Sequence, residues 1–217
     1  MRKISAEELK IILDKHLKWL RNEKGGERAN LRECDLSWSN LRDANLCSAD
    51  LRGSNLHSSN LCECDLRDAD LRNTNLSYTN LHYANLCNAD LRGAKKAEKM
   101  HWNIYTTFYP LQCPEKGSYT AYKKANNLIV ELLIPEDAKR SSATSRKCRA
   151  SKAKVISISY LNGTPHECDC VASDHDSDFI YKIGETVEVS DFDEDRWNEC
   201  APGIHHFITR EEAVQYS

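Results

Sequence analysis

Between Lys139 and Lys154 the chain places seven basic residues and no acid: Lys139, Arg140, Arg146, Lys147, Arg149, Lys152 and Lys154. Ser141, Ser142, Thr144, Ser145 and Ser151 are interleaved with them. Guanidinium forks, ammonium groups, hydroxyls and backbone amides are what a phosphate site uses. Lys139, Arg140, Ser141, Ser142, Arg146, Lys147 and Arg149 are therefore candidate ligands of a phosphate or polyanion. The alternative is a solvated loop and edge strand neutralised by Glu167–Glu199, which holds twelve acids and two bases. A second cluster, His166-Glu167-Cys168-Asp169-Cys170 with Asp174-His175-Asp176 after it, gathers soft and borderline metal ligands. It makes His166, Cys168, Cys170 and His175 candidate zinc ligands, with Cys200 and His205 able to supplement them. The two cysteines are closer in sequence than the C-x2–4-C spacing zinc sites use, so an acidic surface loop is the plainer alternative. Cys200 with His205 could also form a nucleophile and base, but no third group or oxyanion donor accompanies them. The chain has no Gly-Lys-Ser/Thr phosphate loop and no GxGxxG. No catalytic residues are assigned, and no cofactor is expected.

The elements that must position these groups fall into three segments: a helix over 1–24, a repeat region over 25–95 and a third domain over 96–217. Ser5 reads as a helix N-cap, Glu8 as the partner that completes a capping box, and Ile4 with Leu9 as a hydrophobic staple. Leu9, Ile12, Leu13, His16, Leu17 and Leu20 then recur at helical spacing, and Gly25-Gly26 stops the helix. Directly before a repeat array, such a helix is expected to cover its open end.

From Ala29 to Gly93 the chain divides into thirteen pentapeptides: ANLRE, CDLSW, SNLRD, ANLCS, ADLRG, SNLHS, SNLCE, CDLRD, ADLRN, TNLSY, TNLHY, ANLCN and ADLRG. The third residue is Leu throughout, the first is Ala, Cys, Ser or Thr, and the second is Asn or Asp. Residues two apart on extended backbone share a face, so the small residue and the Leu point into a narrow core. The Asn/Asp and the fourth residue point outward. Every fourth repeat repeats its residues: Ala29, Ala49, Ala69 and Ala89, then Arg32, Arg52, Arg72 and Arg92, and on another side Asn40, Asn60 and Asn80. That is the pattern of coils stacking every 20 residues,. The arginine column, beside Asn30, Asp50, Asp70 and Asp90, reads as a solvated Asp–Arg ladder rather than a binding face.

This motif resembles the pentapeptide-repeat family, A(D/N)LXX. The resemblance implies a short right-handed quadrilateral β-helix of about three coils. After Lys95 the composition changes. His101–Pro114 is aromatic (Trp102, Tyr105, Phe108, Tyr109). Strands are predicted over Leu128–Ile134 and Lys154–Tyr160, a hairpin from Phe179–Lys182 and Thr186–Val189 around Gly184, and a last strand over Gly203–Ile208. Thr209 and Glu212 predict a capping box on a short terminal helix. The expected domain is small, mostly β, and α+β in class. SYTAYKK (Ser118–Lys124), AKRSSATSRKCRASKAKV (Ala138–Val155) and ECAPGIHHFITREEA (Glu199–Ala213) resemble a domain of unknown function found behind pentapeptide repeats in bacteriophage and related bacterial proteins.

The net charge of −3 points to neither nucleic acid nor membrane. No apolar run approaches the ~20 residues of a membrane span, and Met1-Arg2-Lys3 leads into a polar helix rather than a signal peptide. A cytoplasmic protein is expected, with its ten cysteines as thiols,. Three functions compete. One is a non-catalytic interaction or scaffold protein, its solenoid presenting flat faces to a protein partner and its C-terminal domain binding a protein or an anionic ligand. Another is a phage-type sequestering protein, or enzyme, acting on a phosphate-containing small ligand through the 139–154 run. The third is a DNA-mimicking topoisomerase inhibitor, against which the six arginines among nine acids in the repeats argue.

Overall fold

The computed structural model describes residues 1–108 and 111–216; Tyr109, one of the expected aromatic cluster, lies outside them. The chain divides into two compact units, Met1–Pro110 and Leu111–Ser217.

In the first unit, the leucines at the third repeat position are 0–1% exposed. The second-position residues bridge in parallel to their counterparts 20 residues on, Asn30 to Asp50 to Asp70 to Asp90 on one side and Asn40 to Asn60 to Asn80 on another. Each coil therefore takes four pentapeptides. The Asn/Asp preference has a local cause: the side-chain oxygen accepts the backbone N–H two residues on, as Asn40 does from Arg42 (3.2 Å) and Asn85 from Cys87 (3.0 Å),. Each corner is a turn closed from the Leu carbonyl to the next repeat's first N–H, as from Leu51 to Ser54 (3.0 Å). The fifth residue carries the positive φ that a type II turn needs. Only Gly53 and Gly93 supply it as glycine. Elsewhere Glu33, Trp38, Asp43, Ser48, Tyr78 and others are held left-handed at φ 52–62°. The ladder continues beyond Lys95, which bridges Asn75, to His101 on Asn80 and Thr107 on Asn85. The irregular aromatic stretch thus extends the solenoid past the boundary expected at residue 95.

At the other end, β1 (Arg2–Lys3) pairs in parallel with β2 (Cys34–Asp35), and α1 (Ala6–Leu20) follows it. Ser5 caps α1 by accepting from the Glu8 N–H at 3.1 Å. The Glu8 carboxylate meets Arg2 at 3.3 Å instead of closing a capping box. The helix ends at Leu20, ahead of the glycines, because Asn22 turns left-handed (φ 54°) and the Asn22 and Glu23 N–H groups bond back to Trp19 and Lys18,. His16, fully buried, accepts the N–H of Ala29 on Nδ1 at 3.1 Å and so satisfies a backbone donor of the first coil.

The second unit is mostly β. A four-stranded antiparallel sheet runs β10-β7-β4-β3, built from β3 (Tyr119–Ala125), β4 (Leu128–Ile134), β7 (Lys152–Tyr160) and β10 (Thr186–Glu188). Asn126 and Asn127, both at positive φ, make the two-residue turn between β3 and β4,. A three-stranded sheet runs β11-β6-β5, from β5 (Arg140–Ser142), β6 (Cys148–Ala150) and β11 (Ile204–His206). Tyr122 and Phe207 exchange backbone hydrogen bonds at 2.8 Å and join the two sheets. β8 (Cys170–Ala172) pairs with β9 (Ile180–Lys182). The hairpin expected around Gly184 does not form: β9 turns back onto β8, while β10 leaves to the edge of β7. Helix α2 (Arg210–Gln215) starts in the Thr209–Glu212 capping box. Val130, Leu132, Val155, Ile158, Tyr181 and Ile204 are among the core of this unit.

Candidate functional site

The basic run does not gather into one open site. Arg149 is 1% exposed. Its guanidinium donates to the carbonyls of Asp193, Pro202 and Asp195 at 2.9–3.2 Å and stacks on Phe192, so it organises the loop before β11. Arg140 donates to the carbonyls of Pro114, Gly117, Pro135 and Glu136 and lies over the Tyr119 ring. Ser141 and Ser142 are buried, and Ser142 accepts the Gln112 N–H at 2.8 Å. Arg146 pairs with Glu212 at 2.6 Å, and Lys139 with Glu194. Six of the seven candidate anion ligands are thus buried in the fold, bonded to backbone carbonyls or paired with surface acids; the seventh, Lys147, faces a cleft.

The candidate metal residues also separate. His166 packs against Tyr160 at 5.0 Å and accepts the Cys168 N–H at 3.2 Å, Cys168 and Cys170 are exposed, and His175 sits on the cleft wall. Among the described residues no group of three His, Cys, Asp or Glu side chains is placed to hold a metal ion.

The cleft itself measures about 690 Å³. Its walls come from distant parts of the chain: Lys123 on β3, Lys147 before β6, His175 after β8, Phe179 and Tyr181 around β9, Cys200–Gly203 and His205 at β11. A smaller cavity of about 340 Å³ shares Lys123, Lys147, His175, His205 and Tyr216 with it. Lys123 is the unusual member. Tyr119, Ala121, Lys123 and Ala125 lie at period two on β3, and Ala121 and Ala125 are fully buried in the core,. A lysine therefore stands on the apolar face of the strand, its stem between two alanines and its Nζ 5.7 Å from the Tyr181 ring centroid. Burial lowers its pKa, Asp174 opposes that, and Lys147 reinforces it. Asp174 is itself engaged, accepting the Asn126 N–H at 2.7 Å. Among the described residues no carboxylate reaches salt-bridge distance of Lys123. His205 donates from Nε2 to the Ala201 carbonyl at 3.0 Å, and burial brings its pKa down to about 4, so it is neutral at pH 7. Cys200 and His205 line the same cleft without a bond between them. Asp176, Glu188 and Asp191 add negative charge to its lining.

Sequence reasoning reached Lys147, His175, Cys200 and His205 but not Lys123. The signal lay in the alternation of SYTAYKKA, where a lysine occupies a position whose neighbours at two-residue spacing are apolar.

Two family models match the chain: pentapeptide repeats over residues 29–68 and 59–93, and a family of unknown function, DUF5758, over residues 109–213. No curated protein matches. Among solved structures, a pentapeptide repeat protein (Rfr23) from the cyanobacterium Cyanothece is 33% identical over 35% of this chain and 58% of its own, with a TM-score of 0.29. HetL, a pentapeptide repeat protein from Nostoc described as involved in heterocyst differentiation regulation, is 34% identical over 31% of this chain and 40% of its own, with a TM-score of 0.18. A pentapeptide repeat protein of the Arabidopsis thaliana thylakoid lumen is 20% identical over 37% and 59%, with a TM-score of 0.29. The matched part of this chain thus spans less than two thirds of each of these proteins. Among the described residues no helix is long and apolar enough to cross a membrane.

Proposed function

For this pentapeptide-repeat protein with a C-terminal DUF5758 domain, we propose a binding role, in which the cleft of the second unit takes a small anionic ligand and the solenoid faces engage a protein partner. One observation carries the ligand reading: Lys123, half-buried on the apolar side of β3, faces the cleft near an aromatic ring and, among the described residues, makes no ion pair, Asp174 acting on it only from beyond salt-bridge distance. A half-buried ammonium with no ion-pair partner is costly, and an anion seated between Lys123 and Lys147 offsets that cost. Phe179, partly exposed on the cleft wall, offers a surface for a planar part of the ligand. The acids lining the cleft repel a long polyanion, which favours a small phosphate or carboxylate compound over nucleic acid. This reading moves the anion site from the 139–154 run as a whole to Lys147 of that run together with Lys123.

The test is a thermal-shift panel of inorganic phosphate, citrate, nucleoside monophosphates and an acidic peptide on wild type and Lys123→Met. At least one small anion should stabilise the wild type, less at high salt, and the variant should lose that shift while keeping its fold. A wild type that no anion stabilises would remove this reading.

The solenoid reading rests on exposed aromatics that share one corner. Trp38 (75% exposed), His57, Tyr78 (51%) and His101 follow one another at ring-centroid distances of 5.6, 5.8 and 6.4 Å. Rigid aromatics of this kind anchor protein interfaces. Pull-down of a partner by the wild type but not by Trp38→Ser/Tyr78→Ser would support it; equal capture by both would count against it.

A further inference from the structure

Lys123 and Lys147 differ from the lysines around them. Lys124, next in the chain and on the opposite face of β3, donates to the Tyr216 carbonyl at 2.8 Å,. Lys182 pairs with Glu185 at 2.9 Å, and Lys152 pairs with Asp137 at 2.5 Å. Among the described residues, Lys123 and Lys147 bring Nζ to no acceptor and into no ion pair. Each lies over an aromatic ring instead, Tyr181 and Tyr216 respectively, with Nζ 5.7 Å from the centroid in both cases. The sheet enforces the place of Lys123. Its register partner on β4 is the fully buried Val130, and the Tyr181 ring beside its Nζ is buried as well. The amine is therefore walled by apolar groups on the sheet side and faces the cleft on the other.

Resting on the anion reading of the same cleft, we propose that Lys123 captures a carbonyl compound: its amine forms a reversible imine with a small aldehyde or ketone whose carboxylate or phosphate pairs with Lys147. The neutral amine adds its lone pair to the carbonyl carbon as the C=O π bond breaks. The oxygen takes the proton that the nitrogen gives up, and a carbinolamine results. The nitrogen then forms the C=N bond as the C–O bond breaks, and the hydroxyl leaves as water with a second proton from nitrogen. One amine and one carbonyl give one imine and one water, and nothing is oxidised or reduced. A lysine amine is made nucleophilic by an apolar surround or by a second cation beside it, and this site supplies both. Burial lowers the Lys123 pKa and Lys147 reinforces that, while Asp174 opposes it, so more of Lys123 is neutral than of a fully solvated lysine. The two roles of Lys123 are compatible. The anionic group stays between the two nitrogens, and an imine that takes up a proton restores the positive charge the ammonium carried.

The experiment incubates the full-length native protein near neutral pH with sodium cyanoborohydride and, in separate arms, glyoxylate, glycolaldehyde, glyceraldehyde 3-phosphate or glyceraldehyde. The reduced secondary-amine adduct is quantified at every lysine by mass spectrometry. Lys123 should carry more adduct than the exposed Lys139 and Lys154. At least one anionic aldehyde should label it more than its neutral counterpart, glyoxylate reporting a carboxylate site and glyceraldehyde 3-phosphate a phosphate site. Lys147→Met should lose that preference. A parallel arm acylates the lysines in the presence of glycolate or glycerol 3-phosphate, which carry the anionic group without the carbonyl. No more adduct on Lys123 than on Lys139 or Lys154 would overturn the proposal. If glycolate or glycerol 3-phosphate still shields Lys123 from acylation, the anion reading stands without the imine; if neither shields it, both fall. Labelling of Lys123 with no preference for an anionic aldehyde would also overturn the proposal, because Lys147 would then hold no part of the ligand. The wild-type map decides these outcomes without reference to the variant.

Discussion

His206 is fully buried and hydrogen-bonded as a neutral ring: Nδ1–H donates to the Ile204 carbonyl at 2.9 Å, and Nε2 accepts the Tyr119 hydroxyl at 3.0 Å. Protonating Nε2 would set two donors against each other and bury a charge. Burial accordingly brings the folded pKa down to about 4 from an ordinary 6.5. A histidine with a depressed folded pKa takes up its proton more readily in the unfolded chain. Its contribution to stability is complete above pH ~6.5 and is lost as pH falls toward about 4,. At 1.36 kcal/mol per pKa unit, the loss between pH 7.5 and pH 4.5 is about 2.5 kcal/mol. Carboxylates titrate in the same range, so the wild type alone does not isolate this contribution. The comparison is with His206→Gln, whose amide can both donate and accept but cannot titrate. Urea unfolding of the full chain at the two pH values, followed by a signal from the second unit, should show a pH-dependent loss about 2.5 kcal/mol smaller in the variant. Equal pH dependence in the two proteins would refute the reasoning, because His206 would then titrate alike in the folded and unfolded states.

Leu61→Ala should cost about 2–5 kcal/mol as a large-to-small change at a fully buried site,, whereas Arg52→Ala, in a partly exposed ladder with Asp50 and Asp70, should cost under about 1 kcal/mol; denaturant midpoints check both. Arg149→Met leaves three carbonyls without their donor and should lose about 3 kcal/mol or more, while Arg146→Ala, paired near the surface with Glu212, should lose under about 1 kcal/mol, both read from thermal melts with enthalpies. Removal of residues 1–24 takes away the His16 bond to Ala29 and the β1 pairing, and light scattering should then show association. Gyrase supercoiling assays should show no inhibition, since the Asp50–Arg52–Asp70–Arg72–Asp90 ladder interleaves opposite charges.

The solenoid was legible because its causes are local and repeated. A Leu every fifth residue, a small residue two before it and an Asn or Asp between them each answer to one packing or hydrogen-bonding need. The left-handed fifth position was hard to read, since Gly53, Gly93, Asn73 and Asn88 favour positive φ there but Glu, Trp, Ser and Tyr hold most of the other places and do not signal it. In the second unit, Leu128–Ile134 shows in sequence as a long apolar run bounded by Asn-Asn and Pro135. Partner choice is different: three-residue strands such as Ile180–Lys182 and Thr186–Glu188 carry too few side chains to specify a neighbour, so the turn at Gly184 suggested a hairpin that the register does not contain. The basic run misled for a related reason. β5 and β6 are covered on both faces, which buries Ser141, Ser142 and Arg149, and a run of like charge in sequence does not reveal that its members point to different sides.

The central claim is that Lys123 and Lys147 share an anion in the cleft. Site-resolved lysine acylation tests it most directly. The native protein is treated with a small acylating reagent, with and without the anion that gives the largest thermal shift, and every lysine is quantified by mass spectrometry. Protection of Lys123 and Lys147 by the anion, with Lys139 and Lys154 unchanged, is the predicted result. Unchanged labelling of Lys123 in the presence of a stabilising anion would contradict it, since the anion would then bind elsewhere on the chain.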